Sequence, residues 1–250
     1  MPDIKFIWRG LKARHRDQIL ELQLIKQALS GGGIAVDIGA NKGSYLYSMA
    51  KWCRRSLVFA FEPQIKLAQY LTMVCKRNGF SNVIIENLAI SDRAGEFELF
   101  VPGSKDSPGA SLERIIAKKT VCHVETVRTV TLDSYFFCNL NKKINEKIKV
   151  IKIDVEGHEM AVIEGAKKII EQDKPLLIIE CEARHLPLGQ SVKTFVERVE
   201  RMGYAASLVT SRSIELPAFQ FDENIHQKKI GERFWDAKNY YNNFIFRPIK

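Results

Sequence analysis

An apolar, β-branched run that breaks at a glycine-framed turn constrains this chain more than any other stretch. Ile34-Ala35-Val36-Asp37-Ile38 reads as a short buried strand, Gly39-Ala40-Asn41-Lys42-Gly43 as a tight turn, and residues 44–50 as the helix that follows. Such a turn lets a ligand approach bare backbone and aims helix N–H groups at it. The next apolar strand, Val58-Phe59-Ala60-Phe61, ends in Glu62-Pro63. A carboxylate in that place accepts hydrogen bonds from both hydroxyls of a ribose. Turn and acid together point to a nucleoside-containing cofactor. A turn that binds nothing is the bland alternative, and it leaves Glu62 as coincidence.

The turn also discriminates between cofactors. A dinucleotide fingerprint requires G-x-G-x-x-G, its second glycine making room for a pyrophosphate. Here Asn41 stands where that glycine belongs, and only Gly39 and Gly43 frame the turn. Asp37 would repel a pyrophosphate but could hold an ammonium, directly or through water. S-adenosylmethionine carries an ammonium, a ribose and no phosphate, so it is favoured over a dinucleotide, and with it the demethylated product S-adenosylhomocysteine.

At 250 residues, 46% hydrophobic and 27% charged, the chain has the size and balance of one large α/β domain. No apolar run reaches the roughly 18 residues of a transmembrane helix. No signal-peptide core follows Met1, and the five scattered cysteines form no C-x-x-C. Both features lead to the expectation of a cytoplasmic protein without disulfides or zinc. The net charge of +9 is spread over Lys51-Arg54-Arg55, over Lys142, Lys143, Lys147, Lys149 and Lys152, and over Lys228, Lys229 and Arg233. No long basic tract interleaves with aromatics, so these read as solvated faces rather than a nucleic-acid surface.

Residues 11–29 carry apolar positions at helical spacing and end at Gly31-Gly32-Gly33. Residues 1–30 are therefore taken as an N-terminal helical extension and 31–250 as a single domain. Strands are expected near 83–85, 96–101, 121–130, 149–154, 175–180, 204–209 and 240–246. Helices are expected over 67–78, 159–171 and 191–203, with a short one at 132–136. Strands alternating with helices predict a doubly wound, mostly parallel sheet with antiparallel additions. Residues 102–114, rich in Gly, Ser and Pro, are too long and polar for a simple turn and read as a lid or acceptor-facing loop. The aromatics Phe234, Trp235, Tyr240, Tyr241 and Phe244 read as core and edge packing rather than a stacking platform.

In an open α/β sheet the ligand lies beyond the carboxyl ends of the strands. The polar residues there are Asp37, Glu62, Asn87, Asp92, Glu180, Glu182 and the dense run Asp154-Val155-Glu156-Gly157-His158-Glu159. That run could supply a general base, orient a hydroxyl or bind a divalent cation. Against this, Glu156 and Glu159 could merely complement a helix N-terminus, and His158 could be a cap-region residue.

The ordered series V-D-I-G-A-N-K-G-S-Y, F-E-P, N-L-A-I-S-D-R-A-G, V-T-L-D-S-Y and I-K-I-D-V-E-G-H-E-M-A-V-I-E-G-A, spanning about residues 34–182, resembles the FkbM family of S-adenosylmethionine-dependent methyltransferases. The K-I-D-V-E-G-H-E run is its most specific part. The resemblance implies a Rossmann-like class I methyltransferase fold. It implies O-methylation, often of sugar or polyketide hydroxyls in natural products, glycolipids or surface glycans; some members act instead on peptide amide nitrogens. It places Asp37, Gly39, Ala40, Asn41 and Gly43 at the methionine end, and Glu62 and Pro63 at the ribose. Asn87, Ala89, Ser91 and Asp92 fall beside the adenine, and Asp154, Glu156, His158 and Glu159 on the acceptor side. The expected partner is a small-molecule or glycan acceptor. No resident metal, nucleic acid or membrane span is expected, and the oligomeric state is left open, a homodimer included. A dinucleotide-dependent oxidoreductase and an RNA-modifying methyltransferase are the competing classes. Missing are the N-P-P-[YF] run of adenine N-methyltransferases and a Pro-Cys nucleophile for pyrimidine C5 chemistry.

Overall fold

The computed structural model describes residues 1–103, 109–115, 117, 121–139, 146–228, 237 and 239–249. Its strands are β1 (Ile34–Ile38), β2 (Val58–Phe61), β3 (Val83–Glu86), β4 (Ala89–Ile90), β5 (Gly95–Pro102), β6 (Cys122–Val130), β7 (Ile148–Ile153), β8 (Leu176–Glu180), β9 (Tyr204–Val209), β10 (Glu215–Pro217) and β11 (Asn243–Pro248). Eight of them form one sheet in the order β10-β9-β11-β8-β7-β1-β2-β3, while β4, β6 and β5 form a small second sheet. From β3 through β8 the large sheet is parallel. The exceptions are β11, antiparallel to both neighbours, and β10. The central strands are buried on both faces, which is why they read as near-continuous apolar runs.

Helices cover both faces, as expected of a doubly wound sheet. On one side lie α1 (Ile4–Lys12), α2 (Ile19–Ala28), α3 (Leu46–Trp52) and α4 (Ile65–Arg77), which pack Phe6, Leu22, Ile25, Met49 and Leu71 against Ala35, Ala60, Val150 and Ile178. On the other lie α5 (Leu132–Ser134), α6 (Glu159–Glu164), α7 (Lys167–Asp173) and α8 (Val192–Glu200), packed on Ile34, Val36, Phe59, Ile151 and Leu177. The alternation along each strand assigns these residues to their faces. A last single turn, α9, spans Glu223–His226.

Two helices differ from the sequence expectation. The N-terminal helix starts at Ile4, where Asp3 accepts a hydrogen bond from the Phe6 N–H at 2.8 Å, and it breaks after a π-helical turn over Ala13–Asp17. The helix expected over 159–171 is two. A Cβ on Gly165 would lie 2.0 Å from the Ser91 carbonyl oxygen, so the backbones touch there. Asp133 then accepts from the Lys168 and Ile169 N–H groups, each at 3.0 Å, and caps α7. Buried Phe244 and the stacking of Tyr241 on His226 are packing contacts. Phe234, Trp235, Lys142, Lys143, Lys229 and Arg233 lie outside the described residues.

Candidate active site

The strand order reverses at β1, with β2 on one side and β7 on the other. This is where an open α/β sheet opens a crevice at its carboxyl edge. A cavity of about 400 Å³ sits there. It is lined by Gly39, Asn41, Glu62, Pro63, Ala89, Asp154, Glu156 and His158 of the residues singled out in the sequence. Asp37, Ala40, Gly43, Asn87, Ser91, Asp92 and Glu159 are not on its wall. Asp37, Ser91 and Glu159 are instead buried behind it.

The first turn is shaped by positive φ angles at Gly39 (77°), Asn41 (48°) and Gly43 (77°). A Cβ on Gly39 would lie 1.8 Å from the Asp154 carbonyl oxygen, so the turns after β1 and β7 meet backbone to backbone. Glu62 is fixed from both sides. Its Oε2 accepts from the Asn41 N–H at 2.7 Å and its Oε1 from the Gln64 N–H at 2.9 Å. Burial nevertheless pushes its carboxyl up to about 7, against the pull of those two bonds. Each oxygen keeps a second lone pair for a further donor. Asn87 serves this turn from behind, donating to the Glu62 and Pro63 carbonyls at 2.9 and 2.7 Å. Leu88, Ile90 and Leu99 add an apolar wall. A cavity of this volume with an apolar slot beside an acceptor carboxylate fits an adenosine with an amino-acid tail.

In the turn after β7 the side chain of Asp154 is 33% exposed and its Oδ2 lies 3.3 Å from Lys152 Nζ. Glu156 adopts φ +53° and its Oε2 meets His185 Nδ1 at 2.6 Å; burial raises its carboxyl and that contact opposes the rise. Gly157 at φ +103° admits the His185 carbonyl where a Cβ would be 2.4 Å away. Glu159 accepts from the Gly157 N–H at 2.8 Å, and burial pushes it up to about 8. His158 has both ring nitrogens engaged, Nε2 with Ser91 Oγ at 2.9 Å and Nδ1 with Glu113 Oε1 at 2.8 Å. The Ser91 hydroxyl lies 3.1 Å from Asp92 Oδ1 as donor.

Several site residues carry no sequence signal. Arg9 of α1 lines the cavity and donates to the Lys42 carbonyl at 2.7 Å. Ser111 donates to the Glu156 carbonyl at 2.6 Å and accepts from the Glu113 N–H at 3.0 Å, strapping residues 110–113 onto the turn after β7. That strap lies in the loop expected over 102–114, of which 104–108 fall outside the described residues. Lys152 corrects the reading of the basic run: it is 1% exposed, with no solvated face at all. Glu180, on the cavity wall, is pushed well above the carboxylate range by burial and by Asp154. Among the described residues no His, Cys, Asp and Glu side chains are grouped to hold a metal ion. No helix there is long and apolar enough to cross a membrane.

A family profile of the methyltransferase FkbM domain matches residues 37–206, well over half of the chain. No curated protein matches the sequence. The crystal structure of methyltransferase FkbM from Methylobacillus flagellatus is similar at 16% identity with a TM-score of 0.51, covering 86% of this chain and 43% of that one. This chain thus spans under half the length of that relative. The O-methyltransferase of Bacillus cereus, crystallised with S-adenosylhomocysteine, is similar at 14% identity and a TM-score of 0.50, covering 100% of this chain and 93% of that one. At such identities the likeness is one of fold: a Rossmann-like class I methyltransferase sheet.

Proposed function

Since the chain belongs to the FkbM family of S-adenosylmethionine-dependent methyltransferases, we propose that it methylates a hydroxyl of a sugar, glycolipid or other natural product. The observation that carries this reading is Asp154, a carboxylate at a strand end that shares one cavity with Glu62. S-adenosylmethionine, when bound, supplies a methyl group on a sulfonium, an electrophile that an oxygen lone pair can attack. Glu62 accepts the ribose hydroxyls on the lone pairs that Asn41 and Gln64 leave free. Leu88, Ile90 and Leu99 exclude water from the adenine side. Asp154 accepts the acceptor hydroxyl's proton on a carboxylate oxygen, which makes a poor nucleophile competent. His158, committed at both nitrogens, holds Glu113 and the strap instead of moving that proton. Glu156 and Glu159 hold the turn that presents Asp154.

Labelled-methyl transfer to a panel of glycans, macrolides and peptides tests the reading. Hydroxylated acceptors should be labelled, and Asp154→Asn should cut turnover by roughly 10²-fold while S-adenosylhomocysteine binding is kept. Labelling of peptide amides alone, or near-normal turnover in Asp154→Asn, would refute it.

A further inference from the structure

Strand alternation puts Lys152 of β7, and Asp154 just past its end, on the face of the sheet that also carries Asp37 and Glu180. Asp37 is the register partner of Lys152 across β1 and β7. Across β7 and β8 the partner of Lys152 is Ile178, two residues before Glu180. From the helical layer, the Tyr45 ring lies over the ammonium, its centroid 5.0 Å from Nζ. α2 packs on this face of β7, and its Glu21 is buried there, its carboxyl raised by burial and drawn down by the Lys152 charge. One buried ammonium therefore serves four carboxyl groups: Glu21, Asp37, Asp154 and Glu180.

A buried cation supports about one anion, and the surplus carboxyls keep their protons. Burial pushes Glu21 up to about 7, Asp37 to about 6 and Glu180 well above its ordinary range. Glu21 Oε2 and Asp37 Oδ2 have no hydrogen-bond partner among the described residues. Burial alone would lower Lys152, but the Asp154, Glu180 and Asp37 carboxyls outweigh it and raise the ammonium above a free lysine. Its one ion pair among the described residues is with Asp154 at 3.3 Å. Asp154 stands in a negative neighbourhood beyond this group as well, for its charge acts on Glu62 after β2, Glu156 of its own turn and Glu159 of α6. Of the basic side chains on the cavity wall, Arg9 donates to the Lys42 carbonyl, His158 engages Ser91 and Glu113, and Lys42 forms no ion pair with Asp154 among the described residues.

We infer that Lys152 is the positioning residue of the site, a buried ammonium whose bond to Asp154 aims that carboxylate into the cavity and supplies the counter-charge against which it releases and takes up a proton. The inference rests on the reading of Asp154 as the base. Lys152 is buried and off the cavity wall, so it acts through Asp154. It also gives the lysine of the K-I-D-V-E-G-H-E run a role separate from the acids that follow it.

Carboxyl ¹³C NMR titration of Asp154 in the ligand-free protein, wild type and Lys152→Met, tests it. The Asp154 midpoint should lie higher in the variant than in the wild type, the direction expected for losing an opposite charge at this range. The acid limb of kcat/KM should move by the same amount, with the KM for S-adenosylmethionine changed by less than about twofold. An unmoved Asp154 midpoint in folded Lys152→Met would overturn the inference. If that variant does not fold, adding Glu21→Gln and Asp37→Asn removes the surplus carboxyls, and the same titration on the triple variant decides. The NMR reading needs no methyl transfer. Failure to label hydroxyl acceptors would thus count against the proposed reaction, and an unmoved midpoint against Lys152.

Discussion

Under the proposed function Glu62 does two things with one carboxylate: it ties down its own turn through Asn41 and Gln64, and it stays ionised for a ligand. Burial makes the second task pH-dependent, with the empty site titrating at about 7. Ligand hydroxyls bind the ionised form better, so protons compete with the ligand. Affinity for S-adenosylhomocysteine should hold steady above pH 7 and weaken by up to about tenfold per pH unit below it. Glu62→Gln should flatten that dependence and weaken binding at pH 8 on the order of tenfold or more, since its amide also turns an N–H against a backbone donor. Calorimetry at pH 6 and pH 8 checks both, and equal affinities in the wild type would count against the assignment. Sequence reading singled out Glu62, which lines the cavity, because a strand-end acid announces itself. It set Lys152 among solvated lysines because one-dimensional charge counting cannot tell an outward lysine from one facing a buried carboxyl. The period-2 alternation around Val150 and Ile153 was the available clue.

Among elements, the strap after β5 connects the loop to the turn after β7. Ser111 is buried, and its hydroxyl joins the Glu156 carbonyl to the Glu113 backbone, while Glu113 reaches His158. Ser111→Ala removes two hydrogen bonds, each worth roughly 0.5–1.5 kcal/mol net, and leaves the Glu156 carbonyl without that donor and the Glu113 N–H without that acceptor. Hydrogen exchange over 109–113 should quicken and kcat/KM for the acceptor fall by up to about tenfold, with S-adenosylhomocysteine affinity unchanged. Unaltered exchange in the variant would mean that the strap is held by something else. The loop's length marked it in the sequence, but its docking partners are about 45 residues away in the chain and left no local trace. The split of α6 from α7 was hidden for the same reason. Nothing near Gly165 says that the Ser91 backbone will press on it, so a continuous apolar periodicity read as one helix. The parallel strands, by contrast, were readable almost residue by residue because a strand buried on both faces is a solid apolar run. Strands as short as β4 and β10 carry too few residues to show a period.

For the whole molecule, the buried carboxyls set an unusual dependence of stability on pH. Glu21 and Glu62 are pushed up to about 7, Asp37 to about 6 and Glu159 to about 8, all by burial first. Their folded values lie above those of an unfolded chain, so the folded state holds protons that the unfolded state releases. Stability from these groups is complete below about pH 4 and is lost as pH rises through 6 to 8. Glu182 and Glu215 go the other way despite their burial: Arg184, Tyr240 and Asn242 lower the first, Arg247 and Ser207 the second. Their contribution is lost only below the ordinary carboxylate range. Scanning calorimetry of the ligand-free protein should therefore give a Tm higher at pH 6 than at pH 8, by several degrees at roughly 2–4 °C per kcal/mol. A Tm that rises over that interval would contradict the assignment. The sheet order has a consequence for biosynthesis. A ribosome delivers β8, β9 and β10 before β11, yet β11 occupies the place between β8 and β9. Until it arrives, the β8 edge is bare and offers its N–H and C=O groups to any neighbouring strand. Asn242, just ahead of β11, brings its amide to Glu180 and Glu182 at 2.7 and 2.9 Å. Asn242 thus reaches Glu180 on the cavity wall from the start of a strand translated after β8, β9 and β10, and a nascent chain halted before β11 leaves that edge bare.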